Sequence, residues 1–280
     1  MPLRHLLHAH FPQIAPGRLP GGFDLVGDIA VTGITPEAEP VEREIASLLM
    51  AAHRHIRVVA KRAGSYQGTF RTLPLQVIGG EQRLQTMHRE NGITLHLDLA
   101  QVYFSVRSAG ERARVAALVH PGERVAVLCS GAGPFPLIIA KHSAAQYILG
   151  IEQNPAAHSY ALKNLHANRR LRNVEFLEGD ASTILSLIDD PFDRVLIVLP
   201  YGGEALLPAA LAALRPGGTL HWYDMQAMGC WAATVDTLTK TCGQRQRTLT
   251  GFKIIRCGHC GPATHRICVD AQIGDHLAAC

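Results

Sequence analysis

The sequence predicts an α/β fold: a mostly parallel sheet flanked by helices, closed by an antiparallel hairpin and preceded by a smaller α/β unit. Three observations carry this. Residues 125–135 (VAVLCSGAGPF) read as a buried strand, a glycine turn and the start of a helix over 134–141. A second apolar strand, 148–151, ends at Glu152, nineteen residues after Gly133. Elements then alternate: helix 156–168, strands 174–177 and 194–199, helix 205–214, strand 219–223. Alternation of this kind implies parallel strands with helices on both faces.

The earlier elements are less regular. Residues 4–10 can form one or two helical turns, and 23–31 read as one strand interrupted by glycine and acid. Residues 42–54 place Ile45, Leu48, Leu49 and Ala52 at helical spacing. The end of that helix is basic, with Arg54, Arg57, Lys61 and Arg62 inside nine residues. A solvated helix end favoured by the macrodipole and a phosphate-contacting patch explain it equally. Strands follow at 68–71, 75–78 and 93–98, the last alternating apolar and polar, so that one face is buried. Residues 1–100 are therefore expected to form a small α/β domain and residues 101–280 the larger one. In the larger domain a helix over 111–119 feeds the strand at 125. Residues 215–218 (RPGG) are a turn by composition, and 251–256 with 264–273 form the closing hairpin.

At 280 residues the chain has room for one large and one small domain. Apolar residues make up 47% and charged residues 18%, an ordinary globular balance without an apolar run of membrane-spanning length. Residues 1–10 lack a secretory cleavage pattern. Seven cysteines without framework spacing point to reduced thiols and a cytosolic protein. A net charge of +4 permits a nucleic-acid partner without requiring one.

The glycine turn followed by an acidic strand end is how an α/β sheet holds a nucleoside. Glycines let the backbone approach, and a carboxylate accepts both ribose hydroxyls. A dinucleotide would need a third glycine to seat its pyrophosphate. Pro136 stands there instead, which suits a ligand without phosphate such as S-adenosyl-L-methionine. Gly179-Asp180-Ala181 after the strand at 174–177, and Asp193 to Pro200 (DRVLIVLP), continue the series. Together they resemble the class I, Rossmann-like S-adenosylmethionine-dependent methyltransferases: glycine turn, ribose acid, adenine-side acid, and a fourth strand ending beside the substrate.

Further pieces narrow the resemblance. Phe23-Asp24-x-x-Gly27-Asp28-Ile29-Ala30, Gly68-Thr69-Phe70-Arg71, His88-Arg89-Glu90-Asn91-Gly92, Val102-Tyr103-Phe104-Ser105-x-Arg107 and Glu111-Arg112-x-Arg114 occur in that order. Gly131-x-Gly133-Pro134-Phe135, Glu152-x-Asn154-Pro155, Asp193-Arg194-Val195, Leu199-Pro200 and Gly217-Gly218-Thr219-Leu220-His221 follow. Over roughly residues 15–272 the chain resembles the archaeal/eukaryotic-type tRNA (guanine-37 N1)-methyltransferases. The resemblance implies tRNA as partner, S-adenosyl-L-methionine as cofactor, no metal and a monomer. The family's further small N-terminal domain is expected to be missing. Carried over residue by residue, Glu111 would take the N1 proton of guanine and Arg71 would stabilise the charge spreading to its carbonyl oxygen. Read without the resemblance, Glu111 is a first-turn helix acid and Arg71 an ion-pair partner. Arg112, Cys129, Gly131, Gly133, Glu152, Asp180 and Ala181 would hold the cofactor.

One position departs from the pattern. Where the resemblance expects Asn-Leu-Pro, the chain has Val198-Leu199-Pro200, and valine cannot hydrogen-bond a base. Val198, Pro200 and Tyr201 form the expected substrate side, with Tyr201 either stacking on a base or simply exposed in a loop. Two alternatives follow. The wybutosine-pathway aminocarboxypropyl transferases are also similar. They tend to Gly-Tyr-Phe at Gly133-Pro134-Phe135 and to Phe-Ser-x-Gly-Asn at residues 104–108, and both differences favour methyl transfer here. A catalytically weak tRNA-binding protein is the alternative from another class.

Other signals carry less. Cys257-x-x-Cys260 with His265 and Cys268 suggests zinc, but a strand over 264–270 would point His265 and Cys268 to opposite faces. Arg169, Arg170 and Arg172 are either an ordinary solvated loop or a phosphate contact.

Overall fold

The computed structural model describes residues 3–259 and 263–276. Two compact units are distinguished: residues up to Glu90 with Thr94–Val106, and Asn91–Ile93 with Arg107 onward.

In the first unit, helix α1 (Leu3–His10) precedes strands β1 (Phe23–Val26) and β2 (Ile29–Thr32). These two pair antiparallel, Phe23 opposite Thr32, so the single interrupted strand expected over 23–31 is a tight hairpin. Its turn holds Gly27 at φ 57°, where an added Cβ would collide with the Met87 carbonyl. Asp28 in the same turn takes both prongs of Arg83, at 3.1 and 2.5 Å. Helix α2 (Glu42–Ala52) leads to β3 (Val58–Arg62), parallel to β2, and β4 (Leu75–Gly80) completes a four-stranded sheet. Ile45 and Leu49 of α2 bury with Leu7, Ile56, Val59 and Ile78 as one core.

Strands β5 (Gln85–Glu90) and β6 (Ile93–Asp98) form a two-stranded sheet. Ile93, Leu95 and Leu97 are buried, as the alternation requires. The strand expected at 68–71 is absent. This segment is an exposed turn tied by one bridge, Gln67 to Thr72, with Arg71 at φ 51°. Left-handed backbone cannot sit in a ladder, whatever the β propensity of threonine and phenylalanine.

The second unit opens with α3 (Ala109–Leu118), followed by β7 (Arg124–Leu128), α4 (Pro134–His142), β8 (Tyr147–Glu152), α5 (Pro155–Ala167), β9 (Val174–Glu178) and α6 (Ala181–Leu185). Next come β10 (Phe192–Ile197), α7 (Leu207–Ala213), β11 (Leu214–Ala227), α8 (Ala232–Gln244), β12 (Arg247–His259) and β13 (Thr264–His276). They build one seven-stranded sheet in the order β12-β13-β11-β10-β7-β8-β9. β11, β10, β7, β8 and β9 are mutually parallel, and β13 and β12 close the edge antiparallel. This is the Rossmann-like arrangement the sequence predicts.

Chain direction across the sheet reverses between β7 and β10. Such a switch point leaves a crevice at the carboxyl ends of the strands, where ligands of open α/β sheets bind. Leu128, Ile151, Val195, Ile197, Leu220 and Trp222 are among the buried core.

Two local differences from the sequence reading have simple causes. The helix expected over 205–214 is a 3₁₀ turn (Gly203–Leu206) followed by α7, because Pro208 suits a first helical turn and not an interior. The RPGG segment lies inside β11, where the pairing with β10 jumps from Phe192–Leu214 to Arg194–Thr219. Gly217, at φ 73°, accommodates that irregularity.

Candidate functional site

Buried strand β7 delivers the chain into a turn of unusual backbone. Cys129, Gly131 and Gly133 all have positive φ, at 58°, 59° and 83°. Gly133 caps α4, with Pro134 in the first turn, and a Cβ on it would lie 2.6 Å from the ring of Phe176. Here glycine is required by both conformation and space. The Ser130 amide donates to Ile151 over 3.0 Å, which fastens the turn to β8.

At the tip of β8, Glu152 lies against this turn. Its Oε2 accepts from the Gly131 amide at 2.7 Å and its Oε1 from the Asn154 amide at 2.8 Å. Burial raises its carboxyl above the ordinary value, although the amide bonds oppose this. The Glu152 carbonyl accepts from Gly179 at 2.9 Å, which brings in Asp180. Asp180 caps α6, accepting from the Thr183 amide at 2.8 Å, and Ala181 is buried in the first turn. Burial, with the carboxylates of Glu152 and Asp180, pushes the Cys129 thiol up to about 12. Cys129, Gly131, Glu152 and Asp180 therefore share one neighbourhood at the carboxyl end of the sheet. Val198, half-buried, bonds through its amide to the Leu128 carbonyl at 3.2 Å, while Tyr201 beyond Pro200 is 46% exposed.

Glu111 and Arg112, on α3, are both buried. Glu111 is held on three sides. Arg114 donates to Oε2 from Nε at 2.8 Å and to Oε1 from Nη2 at 2.7 Å, and the Tyr223 hydroxyl donates to Oε1 at 2.7 Å. Tyr223 also packs its ring on Phe135 in the first turn of α4, centroids 5.8 Å apart. Arg114 extends to Asp270 at 2.5 and 3.1 Å, and Asp270 bonds His221 Nδ1 at 2.6 Å. His221 Nε2 faces Arg194 Nη1 at 2.6 Å, and Arg194 closes on Glu123. A guanidinium can only donate, so Nε2 accepts and the proton of His221 is on Nδ1. Burial lowers the His221 pKa, keeping it neutral.

Sequence reasoning gave no role to Tyr223, Arg114, Asp270 or His221. Arg114 and His221 fall within the Glu-Arg-x-Arg and Gly-Gly-Thr-Leu-His motifs, the one signal the sequence carries for them. Arg71, in the first unit, occupies the left-handed position of its turn, its amide donating to the Gly68 carbonyl at 3.2 Å. Of the basic stretch, Lys61 pairs with Glu42 at 2.6 Å and Arg62 with Asp24 at 2.8 Å, which favours the structural reading of those two. Arg54 and Arg57 are exposed, as are Arg169, Arg170 and Arg172 in the second unit.

Cys260 of the zinc signal lies outside the described residues. Cys257 donates its thiol to the Arg266 carbonyl at 3.4 Å. Among the described residues, ligand atoms of His221, Cys268 and Asp270 lie within 4.8 Å of one another. His221 Nε2 accepts from Arg194, and Asp270 accepts from Arg114, His221 and the Cys268 thiol, so the three are joined as a hydrogen-bond network. No described helix is long and apolar enough to cross a membrane.

The family model described as the TRM5/TYW2 methyltransferase domain matches residues 86–249, and that of the TYW2 N-terminal domain matches residues 3–83. Trm5b of Pyrococcus abyssi, a tRNA (guanine(37)-N(1))-methyltransferase, is 32% identical over 266 residues, 94% of this chain and 78% of its own. Its crystal structure superposes with a TM-score of 0.83 at 30% identity, over the same shares of the two chains. Methanocaldococcus jannaschii Trm5 in complex with adenosine gives a TM-score of 0.80 at 25% identity, covering 98% of this chain and 79% of its own. A complex of aTrm5 with tRNALeu gives 0.81 at 26%, covering 97% and 78%.

Proposed function

The chain belongs to the TRM5/TYW2 methyltransferase family, and from that premise we propose that it methylates N1 of guanosine 37 in tRNA using S-adenosyl-L-methionine. The observation that carries this is similarity over 94% of the chain to a tRNA (guanine(37)-N(1))-methyltransferase.

The residues present suit the cofactor. Two backbone amides occupy one acceptor site on each oxygen of Glu152. A carboxylate offers about four such sites, so capacity for two ribose hydroxyls remains. Asp180 spends Oδ1 on Thr183 and keeps Oδ2 for an adenine amino group. The related Methanocaldococcus jannaschii Trm5 is in complex with adenosine, which supports a ligand with a nucleoside part. Gly131 and Gly133 would let the backbone approach it, with Cys129 and Ala181 beside it and Arg112 against the methionine carboxylate. When bound, the cofactor supplies an electrophilic methyl group whose bond to sulfur breaks with its electron pair remaining on sulfur.

The protein's own task is to make the ring nitrogen nucleophilic. Glu111 accepts the N1 proton, worth about 10²–10⁴-fold for a positioned base. Arg71 stabilises the negative charge that reaches the neighbouring carbonyl oxygen. Val198, Pro200 and Tyr201 form the substrate side, with Tyr201 available to stack on an extruded base at about 1–3 kcal/mol. Residues up to about 100 serve as the tRNA-side domain and the rest as the catalytic one. The protein acts as a cytosolic monomer without a metal.

Aminocarboxypropyl transfer is the second reading, favoured by the match of residues 3–83 to the TYW2 N-terminal domain. Incubation with labelled cofactor and unmodified tRNA, followed by nucleoside mass analysis, separates the two. N1-methylguanosine at position 37 is expected. An aminocarboxypropyl adduct would establish the second reading, and cofactor binding without transfer would leave a tRNA-binding protein.

A further inference from the structure

Arg114 carries one positive charge and serves two carboxylates, buried Glu111 and half-buried Asp270. Its fork holds Glu111 through Nε and Nη2, and its Nη1 and Nη2 hold Asp270. A glutamate paired alone with an arginine is a poor base, because taking a proton abandons a buried ion pair. With Asp270 present the outcome differs: when Glu111 takes a proton, a balanced Arg114–Asp270 pair remains.

We propose that Asp270, aligned by His221, tunes Glu111 as a proton acceptor through the guanidinium they share, making Arg114, Asp270 and His221 positioning residues for the reaction. This rests on Glu111 being the proton acceptor, as proposed above.

The surroundings confine the charge to this group. On β11, Tyr223 donates to Glu111, and burial raises its hydroxyl well above the usual range, so it stays a donor. Burial likewise keeps the thiols of Cys257 on β12, at about 11, and Cys268 on β13 neutral. Arg112, the next residue of α3, adds a second buried cation. On β10, Arg194 fixes the tautomer of His221 and is itself neutralised by Glu123. His221 therefore aims its Nδ1 proton at Asp270 and holds that carboxylate toward Arg114.

Single-turnover methyl transfer measured against pH tests the coupling, since single turnovers isolate chemistry from product release. Asp270→Asn keeps the shape but leaves Arg114 wholly to Glu111. The acid limb of its rate profile moves to lower pH by about one unit, and the plateau falls about tenfold. Arg114→Gln removes the cation and moves the limb to higher pH. Asp270→Glu restores the wild-type position.

Displacements in opposite directions are the signature that a purely structural role does not produce. Limbs that stay in place, or move the same way, overturn the proposal. Melting and cofactor affinity are measured on each variant, and where Arg114→Gln does not fold, the Asp270 pair decides. Glu111→Gln separates the two levels. If it transfers methyl at the wild-type rate, the proton-acceptor reading fails and this proposal with it. If it is inactive while Asp270→Asn leaves the limb unmoved, only the tuning fails.

Discussion

Glu152 is bound to the glycine turn it faces, its Oε2 accepting from the Gly131 amide over 2.7 Å. The contact makes the carboxylate part of the turn as well as the ribose ligand proposed above. Glu152→Ala therefore removes two acceptors for hydroxyls and leaves a turn amide without its partner. Hydrogen bonds to a charged group contribute about 1.5–3 kcal/mol. Cofactor affinity should fall at least tenfold by calorimetry, before any effect on tRNA binding. Unchanged affinity would show that the nucleoside sits elsewhere.

Gly133→Ala tests the turn itself. Left-handed backbone costs an alanine about 1–2 kcal/mol, and the new Cβ meets the Phe176 ring at 2.6 Å, adding about 1–3 kcal/mol of overpacking. A melting temperature several degrees lower is expected, together with weaker cofactor binding. The double variant Gly133→Ala/Phe176→Leu should recover part of the stability; no recovery would mean the ring is not the obstacle.

Stability should fall in two stages as pH is lowered. Burial depresses the pKa of His221 below its ordinary value of about 6.5. Below that pH the unfolded chain takes up a proton that the folded protein does not, so stability is lost. Burial raises the Asp270 carboxyl, but bonds from His221 and Arg114 outweigh it and hold the group far below the usual range. Its contribution is complete above the unfolded value of about 4 and is lost as pH falls toward the folded one. Melts from pH 8 to 3 should show both declines, and His221→Gln should flatten the first and, with one bond to Asp270 altered, shrink the second.

The cysteines should separate by reactivity. The Cys129 thiol, at about 12, is protonated at neutral pH, whereas Cys230 is exposed. Brief iodoacetamide treatment at pH 7.5 with peptide mapping should label Cys230 and spare Cys129. Rapid labelling of Cys129 would contradict the burial of the glycine turn.

Local patterns made much of this fold readable. The β7 turn, the spacing to Glu152 and the alternation after it depend on residues close in sequence, and glycine at φ 83° leaves an unmistakable mark at Gly133. The network around Glu111 left none, because its bonds join residues far apart: Tyr223 is 112 positions away, and Arg114 lies 156 from Asp270. Burial also hides the polar character of these strands. His221 and Asp270 look like interruptions of β11 and β13 until the facing guanidinium is known. The opposite error arose at Gly68 to Arg71, where β-prone residues occupy a turn closed by one bridge.

Glu111→Gln gives the most direct test, with cofactor affinity by calorimetry and single-turnover transfer to tRNA measured on the same preparation. The amide keeps the size of the side chain and its oxygen can still accept from Arg114 Nη2 and Tyr223, but it gives up the bond from Arg114 Nε and cannot take a proton. A proton-accepting role for Glu111 predicts affinity within about threefold of wild type and transfer slower by about 10²-fold or more. Transfer at the wild-type rate, or loss of cofactor binding in its place, would contradict it.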